Sequence, residues 1–224
     1  MIKDDMQYLT IALPKGKLFY LAKDLFAKVG FVADNLEEKS RKLVITNEEL
    51  KLKFIIAKTA DVPTYVEHGA ADIGVIGKDV LMEAQKDVYE LLDLGFGRCH
   101  LMMAVPKDKK RAKLTDYTHT RVATKFPNVA KQFFTSKGMQ MEYIKMNGSI
   151  ELGPIVGLSE SIVDIVETGT TLRENNLEEI TNFESNEDFN DTSEIKEEVK
   201  SINSDTISEN DIDSSLNVDI VVKV

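Results

Sequence analysis

The chain has 224 residues, of which 42% are hydrophobic, enough for one large core or two small ones. No apolar run reaches the ~18 to 20 residues of a membrane span, and Met1–Gln7 carries two acids where a secretory leader would be basic and then apolar, so a cytoplasmic location with no membrane role is expected. The net charge of -10 gives no case for nucleic-acid binding either: residues 184–217 hold eleven acids and two lysines, the last seven residues sum to zero, and residues 1–183 are left with only -1.

In chain order, Tyr8–Leu13 reads as a buried strand broken by Pro14-Lys-Gly-Lys. An amphipathic helix follows, with Leu18, Leu21, Ala22, Leu25, Phe26 and Val29 on one face and Gly30 as its stop. Leu43–Ile45 and Leu52–Ala57 read as a hairpin. Asp61 is placed to cap a short helix with Pro63 in its first turn, Ile73–Ile76 is a strand, and Gly77 and Asp79 start another helix. After the strand-like run Leu101–Val105, the polar break at Pro106 reads as a crossing into a second unit. There the pattern restarts: strand Arg121–Thr124, helix Pro127–Lys137 stopped by Gly138, strand Met141–Met146, strand Ile162–Val166, and a helix through Leu172 and Leu177. Alternating strands and helices predict mostly parallel sheets with sites at the strands' carboxyl ends. The expected division is 1–104 and 105–179 as two α/β domains, an acidic disordered tract over 184–217, and a strand over 218–224 that could return to complete the first domain.

The segment from Ile162 to Leu172 carries the most chemistry. A buried strand runs through Asp164 into Glu167-Thr-Gly-Thr-Thr and then a helix. Gly169 would let the backbone approach an anion, the hydroxyls of Thr168, Thr170 and Thr171 add donors, and the N–H groups at a helix start face it, so no lysine is required. Asp164 and Glu167 could accept hydrogen bonds from vicinal ribose hydroxyls, and phosphate plus diol means a ribose 5-phosphate. On spacing alone, Thr170 or Thr171 could equally be an ordinary helix cap. Lys15, Gly16 and Lys17 follow the first strand where ligands meet such sheets, with Arg41 and Lys58 as further cations at strand ends; singly, each reads more readily as a solvated side chain than as a site. Gly148-Ser-Ile-Glu151 is a weaker candidate loop. Cys99 reads as core, and His68, His100 and His119 show no metal spacing.

These segments together resemble the short-form catalytic subunits of the ATP phosphoribosyltransferase family. The matching stretches are Ala12-Leu-Pro-Lys-Gly-Lys-Leu, the run from Asp61 to Asp79, Leu94-Gly-Phe-Gly-Arg-Cys, Arg121-Val-Ala-Thr-Lys-Phe-Pro-Asn, Gly148-Ser-Ile-Glu-Leu-Gly-Pro and, most specific, Asp164-Ile-Val-Glu-Thr-Gly-Thr-Thr-Leu-Arg-Glu-Asn. The resemblance implies two α/β domains of the type II periplasmic-binding-protein kind with a central cleft and no regulatory C-terminal domain. It also implies transfer of the phosphoribosyl group of phosphoribosyl pyrophosphate (PRPP) to N1 of ATP in histidine biosynthesis, with substrate-bound Mg²⁺ and no protein metal cage. By position, Glu151, Asp164 and Glu167–Thr171 would bind PRPP, and Lys15, Gly16, Lys17, Arg41 and Lys58 would face ATP or pyrophosphate. Asp164, Lys15 and Arg41 would position the transition state, with no general base. The implied partner is a regulatory subunit resembling histidyl-tRNA synthetase, in a hetero-oligomer. Two departures stand out: Lys58 replaces a frequent arginine, and the family's Ser-Ala-Arg-Leu-Ile-Val-Asn-Arg segment is missing, with an acidic tract in its place. The competing readings are a binding-only protein for small anions and an inactive paralogue with an altered C-terminus.

Overall fold

The computed structural model describes residues 8–31, 36–37, 42–97, 99–183 and 218–223. Arg41 and the tract 184–217 lie outside them. The described residues divide into two compact units, one formed by those up to 97 with Phe126–Val129 and 218–223, the other by Cys99–Lys125 and 130–183. Among them, no helix is long and apolar enough to cross a membrane.

In the first unit, β1 (Leu9–Pro14) lies parallel between β3 (Leu52–Ala57) and β4 (Ile73–Gly77), and β2 (Val44–Asn47) turns back antiparallel onto β3. On the far side of β4, β11 (Val218–Lys223) runs antiparallel to both β4 and β5 (Val88–Asp93), giving the order β2-β3-β1-β4-β11-β5. A strand from the far end of the sequence therefore holds an interior place, with Val218 and Val221 buried in the two faces' cores. The helix α1 (Lys17–Lys28) buries Phe19, Ala22 and Phe26 against Ile11, Leu13 and Phe54. Its buried stripe is thus turned from the predicted one: Leu18, Leu21 and Leu25 are only half-buried and Val29, at the C-cap, is exposed. The two phenylalanines bring more apolar area than the leucines, and Phe26 meets Phe54 edge-on at 6.1 Å, which sets the rotation. The short α2 (Val62–Glu67) has Asp61 at its N-cap without a side-chain cap bond. It presses so close to the sheet that a Cβ on Gly74 would stand 2.9 Å from Val62 and Val66 and 3.1 Å from Val221, so the glycine is what lets α2 and β11 share that face. α3 (Lys78–Ala84) follows β4 directly.

The second unit has a five-stranded sheet in the order β10-β6-β9-β7-β8, from β6 (His100–Pro106), β7 (Arg121–Thr124), β8 (Glu142–Lys145), β9 (Ser161–Val166) and β10 (Leu177–Asn182). β7 is parallel to β8 and β9, whereas β6 is antiparallel to β9 and β10. Both sheets are therefore mixed rather than mostly parallel. The excess of antiparallel pairs comes from β6, β10 and β11, whose partners are remote in sequence. The predicted helix through Leu177 is also corrected. α6 (Thr170–Glu174) stops at Asn175-Asn176, where Asn176 takes φ +55°, and Leu177 opens β10 beside Pro106. Asparagine tolerates the left-handed region better than most residues, so the pair ends the helix without a glycine. α4 (Pro127–Ser136) supplies Phe133 and Phe134, which close on Phe183, with Phe133 stacked on it at 3.8 Å between ring centroids.

Candidate active site

The loop Glu167–Thr171 leaves the carboxyl end of β9. Strand alternation puts Asp164 on the same face as Ile162 and Val166, which sit in a core cluster with Leu172 of α6 and Ile150. That shared core fixes both ends of the loop and anchors the neighbouring loop Gly148–Glu151 through Ile150, which is buried while Gly148 and Ser149 are exposed. α5 (Leu152–Ile155) begins directly after Glu151. Asp164 is half-buried and accepts a hydrogen bond from the N–H of Ile165 at 2.9 Å. Glu167, Thr168, Thr170 and Thr171 are exposed.

The loop does not have the geometry of an ordinary cap. Gly169 is the N-cap residue, at φ +68° and ψ +9°, and no side chain caps the helix. Thr170 and Thr171 are the first helical residues, so neither is the cap that spacing alone allowed. A left-handed residue is needed where the chain turns from β9 into α6, and glycine takes that conformation at no steric cost. The first backbone bond of the helix runs from the Arg173 N–H to the Gly169 carbonyl at 3.2 Å. The N–H groups of Thr170, Thr171 and Leu172 therefore precede the helix's own ladder, as an anion loop requires. The hydroxyls of Thr168 and Thr170 stand 3.2 Å apart, and Arg173 Nη2 donates to Thr170 Oγ1 at 3.1 Å. Arg173 stands three residues after Thr170 on a helix, a spacing legible in the sequence.

The first unit gathers the lysines. Pro14 and Ala57 are register partners, and the Lys15 N–H donates to the Ala57 carbonyl at 3.1 Å, so Lys15 and Lys58 leave one sheet edge side by side. Gly16 is the N-cap of α1 and Lys17 its first residue. Lys15, Lys17 and Lys58 are exposed. The same edge holds Lys78, ion-paired to Glu90, and Asp219, which faces Ile76 on one side and Asp93 on the other. Asp219 is 2% exposed and, among the described residues, its Oδ2 has no hydrogen-bond partner. Burial, reinforced by Glu90 and Asp93 and opposed by Lys78, pushes its carboxyl up to about 7. Nothing in the sequence marked Asp219, because its burial depends on where β11 inserts.

A glycine-turned loop with two carboxylates, and a lysine-lined sheet edge, thus ride on the carboxyl ends of strands in two α/β units of periplasmic-binding-protein type. The periplasmic aliphatic sulphonate binding protein SsuA from Escherichia coli shares this fold, with a TM-score of 0.54 at 11% identity over 96% of this chain and 61% of its own. Residues 58–204 match the model of the HisG family, ATP phosphoribosyltransferase. The ATP phosphoribosyltransferase of Thermoanaerobacter sp. (strain X514) is 56% identical over 172 residues, 77% of this chain and 79% of that protein. That of Caldanaerobacter subterraneus subsp. tengcongensis is 57% identical over 172 residues, 77% and 80% of the two chains. The ATP phosphoribosyl transferase (HisG:HisZ) complex from Thermotoga maritima superposes with a TM-score of 0.70 at 31% identity, covering 96% of this chain and 87% of that one. The chain belongs to the HisG family of ATP phosphoribosyltransferases.

Proposed function

We infer that this chain catalyses transfer of the 5-phosphoribosyl group of PRPP to N1 of ATP with release of pyrophosphate, the first step of histidine biosynthesis. The observation that carries the reading is the loop Glu167–Thr171 at the end of β9, with Gly169 left-handed and the first-turn N–H groups of α6 and the hydroxyls of Thr168 and Thr170 gathered at one place. In this reading the 5-phosphate is held by Thr168, Gly169, Thr170 and Thr171. Asp164 and Glu167 accept hydrogen bonds from the ribose hydroxyls, and Glu151 lines the same site. Lys15, Gly16, Lys17 and Lys58, with Arg41, meet the phosphates of ATP or the leaving pyrophosphate.

The chemistry asks for placement more than for proton transfer. Neutral adenine N1 attacks C1′ with its own lone pair. The C1′–O bond breaks with its electron pair going to pyrophosphate, and the charge on the purine is relieved by loss of a proton from the exocyclic amine. Holding two substrates in line can contribute as much as about 7 to 11 kcal/mol of barrier lowering, and fixed cations at the pyrophosphate stabilise the charge that develops there. Enzymes of this family use Mg²⁺ with their substrates. Among the described residues, no group of three or more His, Cys, Asp or Glu side chains is placed to hold a metal, and the hard carboxylate oxygens of Asp164 and Glu167 suit an ion carried in by PRPP. When bound, it supplies neutralisation of the leaving pyrophosphate.

A HisZ-type regulatory subunit resembling histidyl-tRNA synthetase is the partner, in a hetero-oligomer and in the cytoplasm; the Thermotoga maritima complex supports that assembly. A binding-only role has just the remote solute-binding proteins behind it, and at 11% identity they share the fold alone. The test is turnover: the purified chain, with and without the regulatory subunit, is incubated with ATP, Mg²⁺ and PRPP while adduct absorbance is followed. Adduct that requires both substrates supports the reading. Absence of adduct in both mixtures from a cooperatively folded chain sinks it.

A further inference from the structure

The segment from Ser161 to Leu177 contains three acids, Asp164, Glu167 and Glu174, and one cation, Arg173. Within that segment Arg173 alone carries a positive charge that can answer a phosphate dianion entering the loop beside Asp164 and Glu167. The guanidinium is already in place. Its Nη2 donates to Thr170 Oγ1 at 3.1 Å, and its Nη1 lies 3.3 Å from the point where a Cβ on Gly169 would stand. The arginine therefore uses the space that the glycine leaves open.

A hydroxyl carries one proton and can accept at its lone pairs. With Arg173 donating to Thr170 Oγ1, the Thr170 proton is left to donate elsewhere, either to Thr168 Oγ1 at 3.2 Å or to an anion in the loop. We propose that Arg173 is the positioning residue for the phosphate end of PRPP: it acts through Thr170, turning that hydroxyl into a donor toward the 5-phosphate, and it supplies the one positive charge of the segment from Ser161 to Leu177. This rests on the reading of Glu167–Thr171 as the 5-phosphate site. Lysine at this place would keep the charge but lose the planar fork that serves Thr170 and the space over Gly169 together.

The test uses the full chain, titrated calorimetrically with ribose 5-phosphate, alongside Arg173→Gln and Arg173→Lys. A charge-assisted contact of this kind predicts that ribose 5-phosphate affinity falls about tenfold to a hundredfold in Arg173→Gln. The KM for PRPP should rise by a similar factor, while kcat at saturating PRPP and the KM for ATP stay within about twofold, the pattern of lost uniform binding. Arg173→Lys should recover part of the loss. A phosphate monoester gains its second charge near pH ~6, so wild-type affinity should drop below that pH, and the drop should flatten in Arg173→Gln. Wild-type affinity for ribose 5-phosphate in Arg173→Gln overturns the inference and leaves the loop assignment standing. So does a fall of kcat and melting temperature together with a rise of both KM values, which would mark a merely structural arginine. Failure of the wild-type chain to bind ribose 5-phosphate overturns the loop assignment and this inference with it.

Discussion

The two sheets are built differently. The second unit takes all five of its strands from β6 to β10, a stretch ending at Asn182, and its phosphate-type loop is held by a core drawn from the same stretch. The first unit has β1 to β5 in place before residue 94 but is bridged only when β11 inserts between β4 and β5. The difference teaches where the C-terminal segment matters. Asp164 and Glu167–Thr171 do not depend on it for their fold, whereas the sheet carrying Lys15, Lys17 and Lys58 has its interior filled by Val218 and Val221, beyond the residues 58–204 that match the family model.

The largest expected break of that comparison is Val221→Asp. Val221 is fully buried against Gly74 and α2, and an unpaired charge there should cost about 4 kcal/mol, leaving β5 without its partner strand. Urea unfolding should show an early transition for the first unit while the near-ultraviolet signal of the Phe133–Phe183 cluster persists; a single unchanged transition would show that β11 is dispensable. Next comes Gly169→Val. A β-branched residue at φ +68° is strained, and its side chain would drive into Arg173, so PRPP affinity should fall at least about thirtyfold while stability drops by only about 1 to 2 kcal/mol. Equal losses of affinity and stability, read by calorimetry and melting, would make the loop a packing feature.

A smaller effect is expected from Asp219→Asn. The folded-state carboxyl at about 7 lies above its ordinary 3.8, so the folded protein holds the proton more tightly and the wild type loses stability as pH rises from about 4 through about 7. The substitution should therefore be near neutral at pH 4 and stabilising by about 1 to 3 kcal/mol above pH 7, below the upper bound of about 4 kcal/mol set by that displacement. Chemical denaturation at the two pH values checks the sign; a gain confined to acid pH would contradict it. The smallest is Lys58→Arg, which introduces a bidentate donor beside Lys15 and should lower the KM for ATP or tighten pyrophosphate inhibition by less than about fivefold. No change in either constant would place Lys58 away from the phosphates.

Much of this was legible in the sequence where the signal is local. β1, β3, β4, β7 and β9 are short apolar runs bounded by glycine, proline or polar turns, and the Asp164–Thr171 segment announces its chemistry through residue types at fixed spacing. The misses are non-local. β5 reads poorly because Tyr89, Leu91 and Leu92 are exposed on an edge strand without clean alternation, and only the arrival of β11 makes it a strand. β10 was hidden behind a helix-like run because Asn175-Asn176 does the work usually signalled by glycine. Asp219 gives no sign in a short terminal segment, since its burial follows from its register against Ile76 and Asp93. Arg173 was visible but reads as an ordinary last-turn cation until the empty space over Gly169 is known.

The claim that most needs a direct measurement is that β11 makes the first sheet whole. Native-state hydrogen exchange on the full chain, resolved by peptide, tests it. The amides of Ile73–Gly77 and Val88–Asp93, which flank β11, should be protected to a degree comparable with those of Leu9–Pro14 and Leu52–Ala57. Exchange of Val88–Asp93 and 218–223 at open-chain rates, with β1 and β3 protected, would contradict it.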